Sequence, residues 1–447
     1  MFSKKFLWIG IFSLILASCS NDDDTEIPDD TSMPDDMAVA TCDDGVQNGD
    51  ETGVDCGGSA CTPCTTAVEI PATYVFERDG ESTVSFSGQT TRLLMASEIL
   101  GMLRDNTSTE DEIDAAFAHM EGAADFSDAD LNASDKQVRN KTAGSFIFTN
   151  FVPSQVASSV KGDFDGYIAE QVADVFPFWN QVATEGNAGQ LPDGSSTRYV
   201  NSRGLELDQA FIKGLTGAFV SDQILNNYTD PGQLAQFEDD NDNEVIVDGK
   251  NYTDMEHDWD EAFGYFFGVA ADGENPVAAL LEGADPSEFS SGVDEFLYKY
   301  VDNVEANFDG TAAAIFDAYK AGRTAIINKD YAERDVQADI LREEIAKLVA
   351  VRAIHYLKAG VSGLGGAQPG TTFHDLSEAY GFIYSLQFLR SPGTDLNFYF
   401  SSSEVQGYLD TIYNDPTNGF WGVTADDLNS VADLIAAKFS FTAAEVD

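Results

Sequence analysis

A nine-residue motif occurs twice in this chain, and its duplication constrains the fold more than any other feature of the sequence. Residues 257–265 read HDWDEAFGY and residues 374–382 read HDLSEAYGF, with five of the nine positions identical. The offset of 117 residues between the copies is far longer than the period of a solenoid repeat. The duplication therefore predicts a helix–loop–helix unit that is used twice, in two related helical bundles.

Helical periodicity also extends through the rest of the chain after Val68. Apolar side chains recur near every 3.6 residues in residues 205–228 and again in residues 331–358. The stretch Thr109-Glu110-Asp111-Glu112 has the capping-box pattern that is typical of a helix start. Only near the start of this region do two β-rich runs flank a turn signal, Asp79-Gly80, and these predict a hairpin.

These patterns predict one fold class for residues 67–447. It is mostly α, with helical bundles in two pseudo-repeated halves of about 67–300 and 301–447, and with a small β-hairpin near the start. The region contains no cysteine and is long enough to bury a sizeable core. A disulfide-rich stalk is expected to precede it.

The first 18 residues are typical of a bacterial lipoprotein signal peptide. Lys4 and Lys5 precede an apolar run, residues 6–16, that is too short to span a bilayer. Small residues stand directly before Cys19, in a pattern that resembles the lipobox of lipoprotein signal peptidase. We expect cleavage before Cys19 and lipidation of this cysteine, so that acyl chains anchor the protein. An ordinary signal peptide is the alternative.

Residues 19–41 are expected to form a disordered acidic tether, because they contain little apolar surface. The run Asp22-Asp23-Asp24 resembles the acidic signal that sends many Bacteroidota lipoproteins to the outer face of the outer membrane. This resemblance implies a lipid-anchored protein at the outer membrane, on the cell surface. The periplasmic face stays open as an alternative.

Residues 42–66 are rich in cysteine and are interpreted as a stalk module. In an oxidising compartment, four cysteines so close together predict two disulfides with three possible pairings. Calcium binding is a further hypothesis, because carboxylate and amide oxygens suit this hard cation, although the spacing does not match an EF-hand. The four cysteines are Cys42, Cys56, Cys61 and Cys64, and the candidate calcium ligands are Asp44, Asn48, Asp50 and Asp55.

The charge of the chain excludes one class of partner. Its 77 acidic and 24 basic residues give a formal net charge of −53. Such a surface repels nucleic acid and anionic membranes, so no nucleic-acid partner is expected. The charge suits a protein that is surrounded by salt, because ions screen the self-repulsion.

Each copy of the repeated motif places a histidine and a glutamate four residues apart, and therefore on one helical face. These pairs are His257 with Glu261, and His374 with Glu378. If the two copies face each other, two imidazoles and two carboxylates converge, and such a set suits iron or zinc better than magnesium or calcium. The alternative is that the repeated Ala-aromatic-Gly positions only pack helices closely.

Both histidines lie near a predicted helix start. Thr253 opens a capping box before the first copy. Thr371 or Thr372 can cap the helix of the second copy. Because the positive end of a helix dipole disfavours a nearby cation, we expect both imidazoles to stay neutral and able to bind a metal.

Four stretches carry a family resemblance: TYVFERDGESTVSFSGQTTR, GLELDQAFIKGLTGAFVSDQILNNY, MEHDWDEAFGYFFG and FHDLSEAYGFIYSLQF. They resemble an uncharacterised lipoprotein family of Bacteroidota, a domain of unknown function, over nearly everything after Val68. Members are in turn similar to imelysin-like proteins, which are helical and tied to iron acquisition. The imelysin motif is Gly-x-His-x-x-Glu, whereas Met255 and Thr372 occupy the glycine position here and the His–Glu spacing is longer. This departure argues against peptidase activity.

The resemblance and the paired motifs together imply a membrane-anchored protein that binds a metal or a metal-containing ligand in iron or haem acquisition. An imelysin-like metallohydrolase, with Glu261 or Glu378 as general base, is one alternative. A glycan-binding or other interaction lipoprotein is another. A binding protein is favoured because no HExxH or nucleophile-elbow motif occurs. The expected partners are the membrane, an outer-membrane transporter and imelysin-like proteins.

Overall fold

The computed structural model describes residues 67–283, 293–413 and 418–447, together with residues 42, 47, 49–51, 54 and 56–62. The predicted signal peptide and tether lie outside the described residues. The chain divides into two compact units, Met1–Ala67 and Val68–Asp447. The second unit is mostly helical with two small antiparallel sheets, which confirms the predicted fold class. None of the described helices combines the length and apolar character that crossing a membrane requires.

The predicted hairpin is present, but its strands are shorter than the β-rich runs that predicted it. Strand β1 (Glu77–Arg78) pairs with β2 (Glu81–Ser82) around Asp79 and Gly80, both at positive φ. The flanking side chain of Tyr74 is buried instead and stacks on Phe263, with ring centroids 3.7 Å apart. A second hairpin, β3 (Gly189–Asp193) with β4 (Ser196–Val200), has no counterpart among the predicted elements.

Many of the helices before residue 250 begin with a side-chain cap. Thr109 forms the predicted capping box with Glu112. Ser145 and Asp230 cap two later helices, and Pro231 at the first helical position needs no hydrogen bond to its nitrogen. These helices are α1 (Ser87–Leu103), α2 (Glu110–Phe117), α3 (Ala129–Asn132), α4 (Phe146–Asn150), α5 (Ser154–Glu170), α6 (Leu207–Leu215), α7 (Pro231–Leu234) and α8 (Glu238–Asp242).

The longest helix after residue 250 is α13 (Tyr331–Gly363), which contacts α12 (Thr311–Ile327), α14 (Pro369–Ser385) and α16 (Ala425–Ala436). Helices also pack across residue 300, since α9 contacts α12 and α14 contacts α6. The division into halves near residue 300 stays a prediction. These helices are α9 (Asp254–Phe267), α10 (Ala278–Leu281), α11 (Val301–Glu305), α12 (Thr311–Ile327), α13 (Tyr331–Gly363), α14 (Pro369–Ser385), α15 (Ser402–Tyr413) and α16 (Ala425–Ala436).

The helix predicted over residues 205–228 is the buried centre of this unit. It begins as α6 and continues through two π-helical segments, Thr216–Ser221 and Ile224–Tyr228. Every residue from 204 to 226 is buried, including charged ones that a one-sided apolar pattern would place in water. A further π segment is Gln171–Val175, and the short 3-10 turns are Phe176–Phe178, Ala235–Phe237, Tyr298–Tyr300, Leu386–Phe388, Gly419–Gly422 and Ala443–Glu445.

A buried ionic network ties α9 to α12 and to the first hairpin. The guanidinium group of Arg323 is fully buried and lies 3.1 Å from both Glu256 and Asp260. The hydroxyl of Tyr74 donates a hydrogen bond to Asp260 at 2.8 Å, and Arg78 pairs with Glu256 at 2.9 Å. Because buried charges are tolerated only when they are paired and hydrogen-bonded, this network is a structural device.

Candidate functional site

The glycine of the repeated motif has the same structural role in both copies. Helix α9 packs on α1 and helix α14 packs on α6. A Cβ atom on Gly264 would lie 2.4 Å from the Cβ of Phe86, and one on Gly381 would lie 2.4 Å from the Cβ of Lys213. Both positions therefore require glycine for the helices to approach, and the close-packing interpretation of these positions is confirmed.

The fourth residue of the motif accepts the same kind of hydrogen bond in both copies. Asp260 accepts a hydrogen bond from the backbone N–H of Ser85 at 3.2 Å, just before α1 begins. Ser377 accepts one from the backbone N–H of Glu206 at 2.9 Å, directly before α6. Each copy of the motif thus holds the start of the helix on which it packs.

The first histidine–glutamate pair is half-buried on α9. The Nε2 atom of His257 lies 3.8 Å from Oε1 of Glu261, and its ring stacks on Tyr252 with centroids 4.5 Å apart. Gln89 donates a hydrogen bond to Oε1 of Glu261 at 2.6 Å. Burial lowers the pKa of His257 despite the opposing charge of Glu261, so its imidazole is neutral near pH 7, as predicted.

The second pair is embedded in a chain of charges. The imidazole of His374 lies between two carboxylates, with Nδ1 3.1 Å from Oε2 of Glu206 and Nε2 3.9 Å from Oε2 of Glu378. Glu378 in turn lies 3.6 Å from the buried ammonium of Lys213, which also lies 3.3 Å from Glu295. Acidic and basic groups therefore alternate from Glu206 to Glu295.

These neighbours shift the pKa of His374 in the direction opposite to the expected one. Burial disfavours its imidazolium ion, but the hydrogen bond to Glu206 and the charges of Glu206 and Glu378 outweigh burial and raise its pKa. The position at the helix start predicts a neutral imidazole, whereas the two nearby carboxylates shift its pKa in the opposite direction. The predicted cap is wrong: α14 begins at Pro369, so Thr371 and Thr372 lie inside the helix, where proline already fits the first position.

The structure does not bring the two motif pairs to one ion. Among the described residues, the single group of three or more potential His, Cys, Asp or Glu ligands within 4.8 Å of one another is Cys42, Glu51 and Cys61. The motif pairs stay apart because α9 lies against α1 and α12, whereas α14 lies against α6 and α13. The predicted four-residue set His257, Glu261, His374 and Glu378 is therefore two separate pairs.

A cavity opens beside the second pair, and we name it the Glu206 cavity. Its volume is about 270 Å³. It lies where the end of α1, the β3–β4 hairpin and the start of α6 meet, and Asp208 also faces it. Its principal lining residues are Arg104, Gln171, Trp179, Arg198, Tyr199 and Glu206.

Two residues of this lining each carry a buried side-chain oxygen that has no hydrogen-bond partner among the described residues. These oxygens are Oε1 of Glu206 and Oε1 of Gln171, whose residues are 2% and 1% exposed. Glu206 occupies the N-cap position of α6, but its side chain makes no cap hydrogen bond. Burial raises the pKa of Glu206 to about 7, although the hydrogen bond from His374 opposes this rise. At neutral pH its carboxyl group is poised between the neutral and charged forms.

Sequence reasoning missed Glu206 as a functional residue. It lies 168 residues before His374 in the chain, so no local spacing connects them. The available signal was the pair of acidic residues, Glu206 and Asp208, at the start of an otherwise apolar helical stretch. Acidic residues inside such a stretch indicate a buried polar site.

The cysteine-rich module is described only in part. Cys42 and Cys61 form a disulfide bond and Cys56 is also disulfide-bonded, which agrees with a disulfide-rich module. Since the sulfurs of Cys42 and Cys61 are bonded to each other, they are not thiolate ligands, and their group with Glu51 is not a metal site.

The candidate calcium site is described at one of its four residues. Asp50 accepts a hydrogen bond from the backbone N–H of Ser59 at 2.8 Å. The other predicted ligands, Asp44, Asn48 and Asp55, lie outside the described residues, as do Cys64 and the predicted lipidation site Cys19. Calcium binding therefore stays a prediction.

The fold and the cavity define a class of protein: a mostly helical chain with a small polar cavity between a central buried helix and a hairpin. A family model described as Domain of unknown function (DUF4856) matches residues 71–442, and the chain belongs to that family. No curated protein and no solved structure matches the chain. The resemblance to Bacteroidota lipoproteins and to imelysin-like proteins stays a prediction.

Proposed function

We propose that this protein is an exported, lipid-anchored binding protein that holds a small polar ligand in the Glu206 cavity. The observation that carries the proposal is the buried carboxyl group of Glu206, one oxygen of which has no partner in the described chain while the residue lines an open cavity. A buried acceptor that is left unpaired costs about 1–3 kcal/mol. A ligand that donates a hydrogen bond to this oxygen removes that cost on binding.

The size and polarity of the cavity support a small ligand. Its volume of about 270 Å³ falls below the range of about 300–1,000 Å³ that is typical of drug-sized ligands. Both acidic and guanidinium groups line it. Haem, a large and mostly apolar macrocycle, does not match such a cavity, so we do not place the predicted haem ligand there.

A metal ion at the first motif copy is the second candidate. Two atoms that each lie about 2.1 Å from one ion are at most about 4.2 Å apart. The 3.8 Å between Nε2 of His257 and Oε1 of Glu261 satisfies this limit, and a neutral imidazole keeps a lone pair on one ring nitrogen with which to bind a metal. At the second copy, Lys213 lies next to Glu378 and disfavours a cation. The proposed iron or zinc ligands are therefore His257 and Glu261.

Native mass spectrometry of the untagged protein, purified from the cells that make it, tests the ligand proposal. We expect a small bound molecule that is lost in Glu206→Gln and retained in the control Glu170→Gln. The control removes a carboxylate that already accepts a hydrogen bond from Asn201 at 2.7 Å. A bound mass that is equal in both variants, or absent from the wild type, would refute the proposal.

Elemental analysis of the same preparations tests the metal candidate separately. Iron or zinc should be present in the wild type and in His355→Ala, and should be lost in His257→Ala. Metal content that does not change in His257→Ala excludes this site. The outcome is independent of the Glu206 cavity because the two motif copies share no ligand group.

A further inference from the structure

The Glu206 cavity offers hydrogen-bond donors as well as acceptors. Among its lining residues, Glu206 and Gln171 each carry a buried acceptor oxygen without a partner in the described chain. Its donors are the guanidinium groups of Arg104 and Arg198. Both groups are held through Nε, at 2.7 Å and 2.6 Å from an aspartate, and their terminal nitrogens have no hydrogen-bond partner among the described residues.

The wall of the cavity is also aromatic. The rings of Trp179 and Tyr199 stack with centroids 3.4 Å apart and planes 6° apart. Both side chains line the cavity and both are half-buried rather than sealed in the core. The hydroxyl-bearing residues Ser196 and Thr197 of β4 lie on the same lining. The lining of the cavity therefore combines an apolar surface with separate hydrogen-bond donors and acceptors.

The charges on this lining disfavour both bare cations and anions. A metal ion would meet the guanidinium groups of Arg104 and Arg198, and an anion would meet the carboxyl groups of Glu206 and Asp208. A hydroxyl group, by contrast, donates one hydrogen bond and accepts others. Neighbouring hydroxyl groups on one ring can therefore bind a carboxyl group and a guanidinium group at the same time.

We infer that the ligand of the Glu206 cavity is a neutral, hydroxyl-rich ring, the sugar ring of a free monosaccharide or of a glycan end. This inference rests on the proposed function and names its ligand class. The ring hydroxyls bind the Glu206 and Gln171 oxygens and the terminal nitrogens of Arg104 and Arg198. The C–H face of the ring packs beside Trp179 and Tyr199. The cavity volume of about 270 Å³ admits one such ring.

Saturation-transfer NMR and calorimetry on the full protein test this inference. The probes are glucose, galactose, mannose, fucose, xylose and N-acetylglucosamine, with oligosaccharides that end in each sugar as a second arm. At least one free sugar or oligosaccharide should bind, and the arm that binds more tightly identifies the source. Glutamate, lysine and manganese chloride are the comparison probes.

Variants of the lining residues test whether any sugar that binds does so in the Glu206 cavity. Glu206→Gln should weaken sugar binding by about 10-fold, because a charged acceptor is replaced by a neutral amide oxygen. Trp179→Ala should weaken it too, whereas the controls Glu170→Gln and Arg139→Gln should bind as the wild type does. Arg139 pairs with Asp165 at 2.7 Å, outside the cavity lining. Far-UV circular dichroism confirms that each variant is folded.

The outcomes separate this inference from the proposed function. If glutamate, lysine or manganese binds, Glu206→Gln weakens that binding and no sugar binds, the sugar inference fails and the proposed ligand site stands. If a sugar binds with equal affinity to Glu206→Gln, the sugar inference fails as well, because the sugar occupies another place. If no probe binds, the sugar inference fails, and if native mass spectrometry also finds no bound molecule, the proposed function fails with it.

Discussion

Replacing the motif glycines with alanine tests whether the repeat is a packing device. A Cβ on Gly381 or on Gly264 would lie 2.4 Å from the neighbouring helix, where ordinary van der Waals contact begins at 3.4 Å. Each helix would have to move by about 1 Å, and overpacking of this kind costs about 1–3 kcal/mol. Alanine recovers up to about 1 kcal/mol through its higher helix propensity. We expect a net loss of about 0–2 kcal/mol in each variant, in contrast to the gain that alanine gives at an uncrowded helix position.

Urea unfolding followed by far-UV circular dichroism measures this loss. The matched control is Gly162→Ala in the middle of α5, where no atom of another element lies within 4 Å of the added Cβ. This control should gain about 0.5–1 kcal/mol. If Gly264→Ala and Gly381→Ala are as stable as Gly162→Ala, the packing role of the repeated glycine is refuted.

Other perturbations probe the buried charges and the proposed anchor. Arg323→Met should lose about 3–5 kcal/mol of unfolding free energy, because it removes the buried cation that Glu256 and Asp260 share, and a loss below about 1 kcal/mol would contradict the network. Burial raises the pKa of both Glu206 and Asp222 to about 7, above ordinary values of 4.5 and 3.8. Their stabilisation is therefore present at low pH and is lost as pH rises through 7. As the pH rises from these ordinary values to about 7, the unfolding midpoint of the wild type should fall, and that of Asp222→Asn should fall less. An equal fall in the wild type and in Asp222→Asn would argue against this assignment. Cys19→Ser should move the protein from the membrane fraction to the soluble fraction, and a variant that still sediments with membranes would argue against lipid anchoring.

Local patterns in the sequence predicted local structure correctly. The turn at Asp79-Gly80 and the capping boxes at Thr109 and Thr253 all depend on residues within four positions of each other, and all are present. The predicted cap at Thr371 or Thr372 is wrong because proline at the first helical position begins α14 earlier. Two signals for a helix start compete here, the threonines and the proline, and the proline determines where α14 begins.

The candidate site depends on contacts between residues that are far apart in the sequence, and the spacing of neighbouring residues does not predict such contacts. The pairing of each motif histidine with its glutamate follows from helix geometry, and both pairs lie within 4 Å. Whether the pairs meet depends on which helices α9 and α14 pack against, and this is set by tertiary contacts along the whole chain. The contact between His374 and Glu206 is of the same kind, so the raised pKa of His374 could not be predicted.

The most direct test of the central claim is a crystal structure of the untagged protein soaked with the tightest-binding sugar of the panel. We expect a sugar ring in the Glu206 cavity, with hydroxyl groups within hydrogen-bonding distance of Oε1 of Glu206 and Oε1 of Gln171. The ring should lie against Trp179. A cavity that contains only water, or a Glu206 side chain that turns to a partner within the protein, would contradict the claim.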